Sequence, residues 1–299
     1  MNKNVVDKKS VQKTSSSFES ITDTDKLVKY LDDSSNRLRN ADSLHHYTTL
    51  SRAIQIIKSG YWHLGTAEFM NDRVEYELGH SQYWKNLFFC SFMSDVKESI
   101  AMWSMYSQPW KDGVKISIPK KTVMKWIKDI NEIVEISTET YQPTGRTIPV
   151  NDESIDNSAK LWISAVAYSS TESDEQSRDH HIITWNTVEN RNFINPATIP
   201  ELTGYIKDRA WSYEKEIRIK AKVSNEKNIG RVAIPLSHEL VHSIKITAGP
   251  LFEGDLQDKI EKEIGSSIKS DQLEKSLFWR KLQIKSICSD CPNNKGKAV

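Results

Sequence analysis

Two carboxylates and a guanidinium recur at alternate positions late in the chain. The segment 211–218 reads WSYEKEIR, which separates Glu214, Glu216 and Arg218 by one residue each. In a β-strand, alternate side chains point to the same side of the sheet, so these three groups would share one face. Such a face is either a solvated strand edge with internal ion pairs, or a catalytic carboxylate with a second carboxylate and an orienting cation. The spacing alone leaves both interpretations open.

A histidine followed by two hydroxyl-bearing residues, His46, Tyr47 and Thr48, lies early in the chain. The run 44–47 predicts a short β-strand, and the helical spacing of apolar residues over 50–57 predicts an amphipathic helix after it, capped by a threonine. A histidine at a strand end can hydrogen-bond a sugar hydroxyl, and the neighbouring hydroxyl can bond a second polar group. A core histidine beside a helix cap is the alternative. We interpret the motif as one wall of a ligand-binding cleft.

Two further clusters also have both a structural and a functional interpretation. Asn71 and Asp72, followed by Glu75, can bind a ligand or can cap a helix that has the glutamate in its first turn. Trp103 and Tyr106 are three residues apart and therefore share one face of a predicted helix. That aromatic pair can pack in the core or can form a platform for a flat ring.

The composition is that of a globular protein. The chain has 299 residues, of which 37% are hydrophobic and 27% charged, and its formal net charge of +1 gives no global attraction to nucleic acid or to a membrane. No apolar run approaches the roughly 18 residues of a membrane helix, and the Lys- and Ser-rich start does not resemble a secretory signal. Because there are only three cysteines, we expect a cytoplasmic protein without a disulfide scaffold.

Motifs that define several enzyme classes are absent from the sequence. It contains no Walker loop and no GxGxxG, GxSxG or HExxH motif. P-loop, Rossmann, α/β-hydrolase and zinc-protease chemistry therefore have no support. We predict no metal site.

Predicted helices come early, strands cluster late, and the two do not alternate regularly. This order predicts an α+β fold: a single domain over 21–287 with a largely antiparallel, possibly split, central sheet and flanking helices. The segment 1–20 is predicted to be a disordered tail, and 288–299 a flexible one. The predicted helices are 27–31, 50–59, 71–79, 97–107, 121–130, 199–208 and 252–264; the strands are 44–47, 61–64, 87–92, 113–118, 133–136, 161–168, 213–223, 231–235, 241–247 and 277–287; loops are predicted at 140–160 and 169–179.

Taken in order, several segments resemble a bacterial family of proteins of unknown function, the domain-of-unknown-function 2971 family. The resemblance covers about residues 40–265, and its motifs are specific as an ordered set. Arg73 departs from the pattern, because the family usually has proline after Asn-Asp. The matching segments are HHYTTLSRAIQIIKSGYWHL (45–64), FMNDRVE (69–75), FFCSFMSD (88–95), IAMWSMYS (100–107), GVKISI (113–118), AYSS (167–170), KDRAWSYEKEIRI (207–219) and HSIKITAGPLFEGDLQDKIEKEI (242–264).

The layout of that family is in turn similar to the ADP-ribosyltransferase superfamily. This resemblance implies that His46, with Thr48, holds the ribose of NAD. It also implies that an aromatic side chain stacks on the nicotinamide, with Tyr106 as the candidate and Trp103 as the alternative. The other residues implied to bind NAD are Tyr47, Asn71, Asp72 and Arg218.

The same resemblance implies that Glu216 is the catalytic glutamate and that Glu214 is its partner. Cleavage of the nicotinamide–ribose bond passes through an oxocarbenium-like cation, which a carboxylate near the ribose stabilises. A second carboxylate can activate the acceptor nucleophile. Nicotinamide leaves as a neutral base, so the reaction requires no strong general acid.

The implied function is NAD-dependent mono-ADP-ribosyl transfer, in which NAD is the substrate and protein, DNA or RNA is the acceptor. Such bacterial enzymes are often toxins or phage-defence effectors. The predicted N-terminal tail and the loops at 140–160 and 169–185 offer sites for an antitoxin or a chaperone as partner. Three alternatives stay open: a nucleotide-binding module without turnover, an NAD glycohydrolase that uses water as acceptor, and a metal-dependent nucleic-acid hydrolase that uses His46, Glu214 and Glu216.

Overall fold

The computed structural model describes residues 36–66, 70, 86–94, 97–151, 158–169, 204–223 and 229–282. Some of the predictions from sequence lie outside these residues: the tails 1–20 and 288–299, the helices 27–31 and 71–79, and the site residues Asn71 and Asp72. Among the described residues, no helix has the length and apolar character needed to span a membrane.

In this part of the chain, helices flank a large sheet. The α-helices are α1 (Asn36–Asn40), α2 (Leu50–Ser59), α3 (Ile100–Tyr106), α4 (Lys120–Asp129), α5 (His238–Ser243) and α6 (Leu256–Ile264). The strands are β1 (Ser43–Thr49), β2 (Tyr61–Thr66), β3 (Leu87–Met93), β4 (Gly113–Pro119), β5 (Glu132–Ile136), β6 (Pro143–Pro149), β7 (Ala159–Ala165), β8 (Ala167–Ser169), β9 (Ile206–Asp208), β10 (Glu216–Val223), β11 (Arg231–Pro235), β12 (Lys245–Ala248) and β13 (Leu273–Lys275). A 3₁₀ helix at Arg209–Glu214 connects β9 to β10.

The central sheet is largely antiparallel, as predicted. Over the described residues its strand order is β13-β12-β4-β1-β3-β2-β11-β5-β6, with β10 paired to both β3 and β7. The β12–β13 pair is parallel, and β8 and β9 form a separate parallel pair. A mixed fold with one mostly antiparallel sheet and flanking helices is therefore confirmed.

Strand β3 is the junction of this sheet. One edge pairs along its whole length with β10, from Glu216 opposite Met93 to Lys222 opposite Leu87. On the other edge, β2 pairs with residues 88–89 and β1 pairs with Met93 alone. The partners β1 and β2 thus leave residues 90–92 between them, and the sheet opens there.

Buried ionic groups occupy one face of β10. Alternation along the strand turns Ile217 and Ile219 into the main core, as the β-branched sequence predicts. On the opposite face Arg218 and Lys220 are also buried. The Lys220 ammonium lies 4.8 Å and 4.5 Å from the ring centroids of Trp162 and Tyr205. A charged group in this position gains cation–π attraction, which offsets part of its desolvation cost.

The predicted elements over β1 to β5 agree with the structure within about two residues, a usual boundary error, apart from the first helix after β3. That helix, α3, begins at Ile100 rather than Lys97, because Ser99 accepts a hydrogen bond from the Met102 amide and acts as the N-cap. The helix α2 begins after Thr49, whose hydroxyl accepts from the Arg52 amide, and ends at Gly60 with a left-handed φ of 73°. Local capping signals explain this agreement.

Several later predictions are wrong. Residues 206–208, predicted as helix, form β9, which pairs with β8. The predicted loop 140–160 contains β6, whose turn-forming residues lie on an exposed strand beside β5. The predicted strand 241–247 begins as helix α5, because Ser237 caps a helical turn, and becomes β12 only at Lys245.

The predicted last strand at 277–287 is wrong over 277–282, which form turns. The Phe278 amide donates to the Ser276 hydroxyl, and Trp279 packs 6.4 Å from the Phe252 ring. Trp279 therefore packs against Phe252 from a turn, whereas Leu277 is 70% exposed. The last described strand is the shorter β13, which pairs with β12.

Gly204 contacts both Arg218, on the ionic face of β10, and the ring of Phe89. Its carbonyl accepts from Arg218, its φ is +80°, and a Cβ there would lie 2.5 Å from the Phe89 ring. We expect Gly204→Ala to lower the free energy of unfolding by about 1–3 kcal/mol more than Gly145→Ala does. Gly145 has a similar φ of +86° but open space around its Cβ position. Urea unfolding of both variants measures the difference, and equal losses would contradict the packing of Phe89 on Gly204.

Candidate active site

A cleft of about 290 Å³ lies where the sheet opens beside β3. Side chains from β1, β2, β3, α3, β9 and β10 line it. The residues implied by the sequence that line this cleft are His46, Tyr47, Tyr106, Glu214, Glu216 and Arg218. His46 and Glu216, which are 170 residues apart in the chain, therefore face the same space.

His46 enters the opening between β1 and β3. Its Nδ1 lies 2.9 Å from the Ser91 carbonyl oxygen, which can only accept, so Nδ1 carries the proton. Burial lowers the pKa of His46 below 6.5 against the opposing effect of this bond, and Arg52 lowers it further. The ring is consequently neutral at physiological pH, and its Nε2 is a hydrogen-bond acceptor. Trp62 and Phe92 hold it in place, with ring centroids 5.4 Å and 5.8 Å away.

Glu216 is a buried carboxylate with several cationic and hydroxyl partners. Arg218 donates from Nε to Oε1 over 2.7 Å and from Nη2 to Oε2 over 2.9 Å. The Ser91 hydroxyl donates to Oε1, and the Lys207 ammonium lies 3.5 Å from Oε2. Burial alone would raise the pKa of Glu216, but Arg218 and Lys207 outweigh it and hold the pKa at about 2. Glu216 is therefore ionised throughout the physiological range.

Glu214 lies beside this pair in a different environment. Its Oε1 accepts from the Tyr106 hydroxyl, and its Oε2 lies 2.6 Å from the Lys207 ammonium. Burial raises the pKa of Glu214, Lys207 opposes that rise, and Glu216 adds to it. Two carboxylates with pKa values shifted in opposite directions thus share one cleft, an arrangement typical of acid–base sites.

The strand alternation predicted for Glu214, Glu216 and Arg218 is wrong at its first member. Glu214 ends the 3₁₀ helix, Lys215 has a left-handed φ of 44°, and β10 begins only at Glu216. Tertiary contacts bring the two carboxylates together instead, since both bind Lys207. Glu216 and Arg218 do share one face, and there Arg218 orients Glu216.

The two aromatic candidates have different positions. Tyr106 is half-buried and lines the cleft, while Trp103 is 1% exposed and lies outside it. Trp103 packs with Tyr47, at a centroid distance of 4.8 Å, and its indole N–H donates to Glu98 over 3.2 Å. Of the two candidates, the short helix α3 therefore places Tyr106, and not its alternative Trp103, at the cleft.

Thr48 also lies outside the cleft. It is buried, and the adjacent Thr49 is the N-cap of α2. Tyr47 lines the cleft with part of its ring while packing against Trp103. The strand thus presents His46 and Tyr47 to the cleft. Thr48 is buried outside the cleft, and Thr49 caps α2.

Three residues of this site were missed by the sequence reasoning: Ser91, Lys207 and Tyr168. Ser91 bonds Glu216 through its hydroxyl and His46 through its carbonyl, and Lys207 bonds both carboxylates. Tyr168 accepts the Glu216 amide proton through its hydroxyl over 2.9 Å. All three fall within segments of the family resemblance, which was the available signal, but their spacing shows no pattern.

Metal-dependent chemistry and nucleophilic attack by a cysteine have little support among the described residues. No group of three or more His, Cys, Asp or Glu side chains is placed there to hold a metal ion. Cys90 lines the cleft, but burial raises the pKa of its thiol to about 12, although the Trp62 N–H opposes the shift. A protonated thiol is a poor nucleophile.

The comparisons with known proteins bear on one stretch of the chain. Residues 102–219 match the model of a family described as a protein of unknown function (DUF2971). This match supports the resemblance to that family, and the matched stretch includes Tyr106, Lys207, Glu214 and Glu216. Searches of curated proteins and of solved structures returned no match.

The neutral His46 makes stability depend on pH. In the folded state its pKa lies below the unfolded value of 6.5, so the unfolded state binds more protons as the pH falls below 6.5. We therefore expect the free energy of unfolding to fall as the pH is lowered from 6.5 through the pKa of folded His46. His46→Asn keeps a donor for the Ser91 carbonyl and should flatten this dependence in urea unfolding across pH. Parallel curves for both proteins would contradict a neutral His46 in the folded state.

Proposed function

We propose that this chain is an NAD-dependent mono-ADP-ribosyltransferase. The observation that carries the proposal is the convergence of His46, Tyr106 and the two carboxylates Glu214 and Glu216 on one cleft. These are the residue types, in the chain order, that the resemblance to the ADP-ribosyltransferase superfamily implies. The fold alone does not carry this proposal, because one fold serves many activities.

The ionisation states support separate catalytic roles for His46, Glu216 and Glu214. A neutral His46 accepts a hydrogen bond from a ribose hydroxyl through Nε2 and adds no positive charge beside the developing cation. Glu216, ionised at all relevant pH values, favours positive charge on the ribose as the bond to nicotinamide breaks. Glu214, whose pKa is raised by burial, is suited to accept the proton of the attacking nucleophile.

The hydrogen bonds that the two carboxylates already accept support the same separate roles. Each carboxylate oxygen accepts about two bonds. Both oxygens of Glu216 already have two partners among Ser91, Arg218 and Lys207. Glu214 accepts from Tyr106 and Lys207, one bond at each oxygen, and so retains capacity for a ligand. Glu214 is therefore the carboxylate that we expect to contact the nucleophile, while Glu216 acts mainly through its charge.

The biological role belongs to the same proposal. By its resemblance, the chain is a bacterial toxin or phage-defence effector that transfers ADP-ribose to a macromolecule, with an antitoxin or a chaperone as partner. The macromolecule is protein, DNA or RNA. Transfer to water in place of a macromolecule would make the chain an NAD glycohydrolase with the same site.

A nucleotide-binding module is the second candidate, and one observation favours it. The four ionic side chains Lys207, Glu214, Glu216 and Arg218 neutralise one another inside the cleft. Such a network can serve to hold a ligand without turning it over. This candidate predicts NAD binding with no nicotinamide release.

The experiment that tests the proposal uses NAD labelled in its adenylate phosphate. The purified chain is incubated with this NAD and a bacterial lysate, and label is followed separately into protein, RNA and DNA while free nicotinamide is measured. Label in one fraction identifies the acceptor, and nicotinamide without label indicates the glycohydrolase. Neither label nor nicotinamide, with protein shown to be folded, contradicts the proposal.

A further inference from the structure

Lys207 occupies the centre of the ionic group in the cleft. It lies on β9, which is held by its parallel pairing with β8. Its ammonium nitrogen is 2.6 Å from Glu214 Oε2 and 3.5 Å from Glu216 Oε2, and it lies 4.6 Å from the ring centroid of Trp211. The residue is 5% exposed, yet it lines the cleft. Lys207 thus connects the two carboxylates at the surface that a ligand would meet.

The position of Lys207 matters because it lies between two carboxylates that repel each other when both are ionised. Two carboxylates that share a buried site resist simultaneous ionisation, because each charge disfavours the other. Arg218 binds Glu216 through two nitrogens and uses a third to bind the Gly204 carbonyl. Arg218 therefore binds Glu216 and the Gly204 carbonyl, whereas Lys207 is the cation that contacts Glu214 among the residues that the structure describes.

We propose that Lys207 is a positioning residue of this site: its ammonium group holds Glu214 as an ionised carboxylate, aimed at the cleft beside Glu216. The inference rests on the proposed function for its catalytic consequence. Its structural part, the control of Glu214 by Lys207, stands independently of turnover.

In the transfer step Lys207 forms and breaks no covalent bond. The nucleophile of the acceptor forms a bond to the anomeric ribose carbon, and the bond from that carbon to the nicotinamide nitrogen breaks. The bonding pair goes to the nicotinamide nitrogen, which becomes neutral. The acceptor's proton goes to Glu214, which must be ionised to receive it.

Other titratable or charged groups also face Glu214, and they determine how its proton affinity responds to Lys207. The hydroxyl of Tyr106 reaches it from α3, and the charge of Glu216 acts on it from β10. Its own charge acts in turn on Tyr168 and Tyr213. The titratable or charged groups around the site are Tyr106, Tyr168, Lys207, Tyr213, Glu216, Arg218 and, across the cleft, His46.

The test compares Lys207→Met and Lys207→Arg with wild type, using Lys245→Met as the matched control. Lys245 forms a 2.7 Å ion pair with Glu274 at the surface, far more exposed than Lys207. The first readout is the pH dependence of kcat for nicotinamide release. We expect the acidic limb to move to higher pH by about one unit or more in Lys207→Met, because Glu214 then binds its proton more tightly. Lys207→Arg should restore the limb, and Lys245→Met should leave it unchanged.

The second readout needs no turnover. Carbon-13 labelling of glutamate carboxyl groups, with the Glu214 signal assigned by its loss in Glu214→Gln, reports the titration of Glu214 in the folded chain without NAD. An upward shift in Lys207→Met, reversed in Lys207→Arg, supports the inference even if wild type releases no nicotinamide, in which case only the proposed function fails. An unchanged Glu214 titration overturns the inference. Lys207→Gln replaces Lys207→Met if the methionine variant does not fold.

Discussion

Replacing Glu216 with glutamine lowers the free energy of unfolding by about 3–5 kcal/mol, because it leaves a buried cation without its counter-charge. Arg218 is 1% exposed and binds Glu216 through two nitrogens. The glutamine amide keeps the size of the side chain but removes the charge that repays the desolvation of Arg218. Urea or guanidinium unfolding at neutral pH measures the loss.

The control is Glu263→Gln. Glu263 pairs with Lys58 over 2.8 Å, but both side chains are almost half exposed. A surface pair of this kind contributes about 0–1 kcal/mol. Similar losses for the two variants would show that the buried ionic group does not hold β10 in place, and that the cleft geometry depends on other contacts.

Acid should reproduce the Glu216 effect in the wild-type protein. The pKa of Glu216 is held at about 2 in the fold, below its ordinary value of 4.5. Its stabilising contribution is therefore complete above pH 4.5 and is lost as the pH falls towards 2. In Glu216→Gln this part of the acid dependence should disappear.

If the chain has the proposed transferase activity, we expect replacing Glu214 with glutamine to lower kcat for ADP-ribosyl transfer by about 10²–10⁴-fold, the usual effect of removing a general base. The amide oxygen still accepts from the Tyr106 hydroxyl, and Lys207 retains Glu216 as a partner at 3.5 Å. We therefore expect this variant to fold and to bind NAD. Single-turnover nicotinamide release and NAD binding by calorimetry separate the chemical step from binding.

The exposed Glu263→Gln variant is again the matched control and should react like wild type. If Glu214→Gln turns over at the wild-type rate while Glu216→Gln, shown to be folded, does not, then the roles given to the two carboxylates are reversed. If neither substitution affects the rate, the chemistry lies elsewhere in the molecule.

The part of the fold that could be predicted from sequence is the part with local signals. Thr49 and Gly60 cap α2 at both ends, and the alternation of Ile217 and Ile219 defines β10. Wrong assignments fall where distant partners decide the structure. Residues 206–208 form a strand because β8 lies beside them, and no local pattern in IKD reports that pairing.

The same distinction applies to the site. Chain order suggested His46 and Glu216, and both line the cleft. Spacing predicted that Trp103 and Tyr106 share one helix face, but α3 is seven residues long and buries Trp103 against Tyr47. The spacing of Lys207 along the chain carried no signal, because its place beside Glu214 and Glu216 comes from tertiary contacts.

Release of nicotinamide from NAD is the most direct test of the proposed transferase activity. The purified, folded chain is incubated with NAD, with and without a bacterial lysate, and free nicotinamide is quantified by chromatography for wild type, Glu214→Gln and Glu263→Gln. We expect release by wild type and by Glu263→Gln, and a loss of at least about 10²-fold in Glu214→Gln. No release by folded wild-type protein under either condition would contradict the proposed activity.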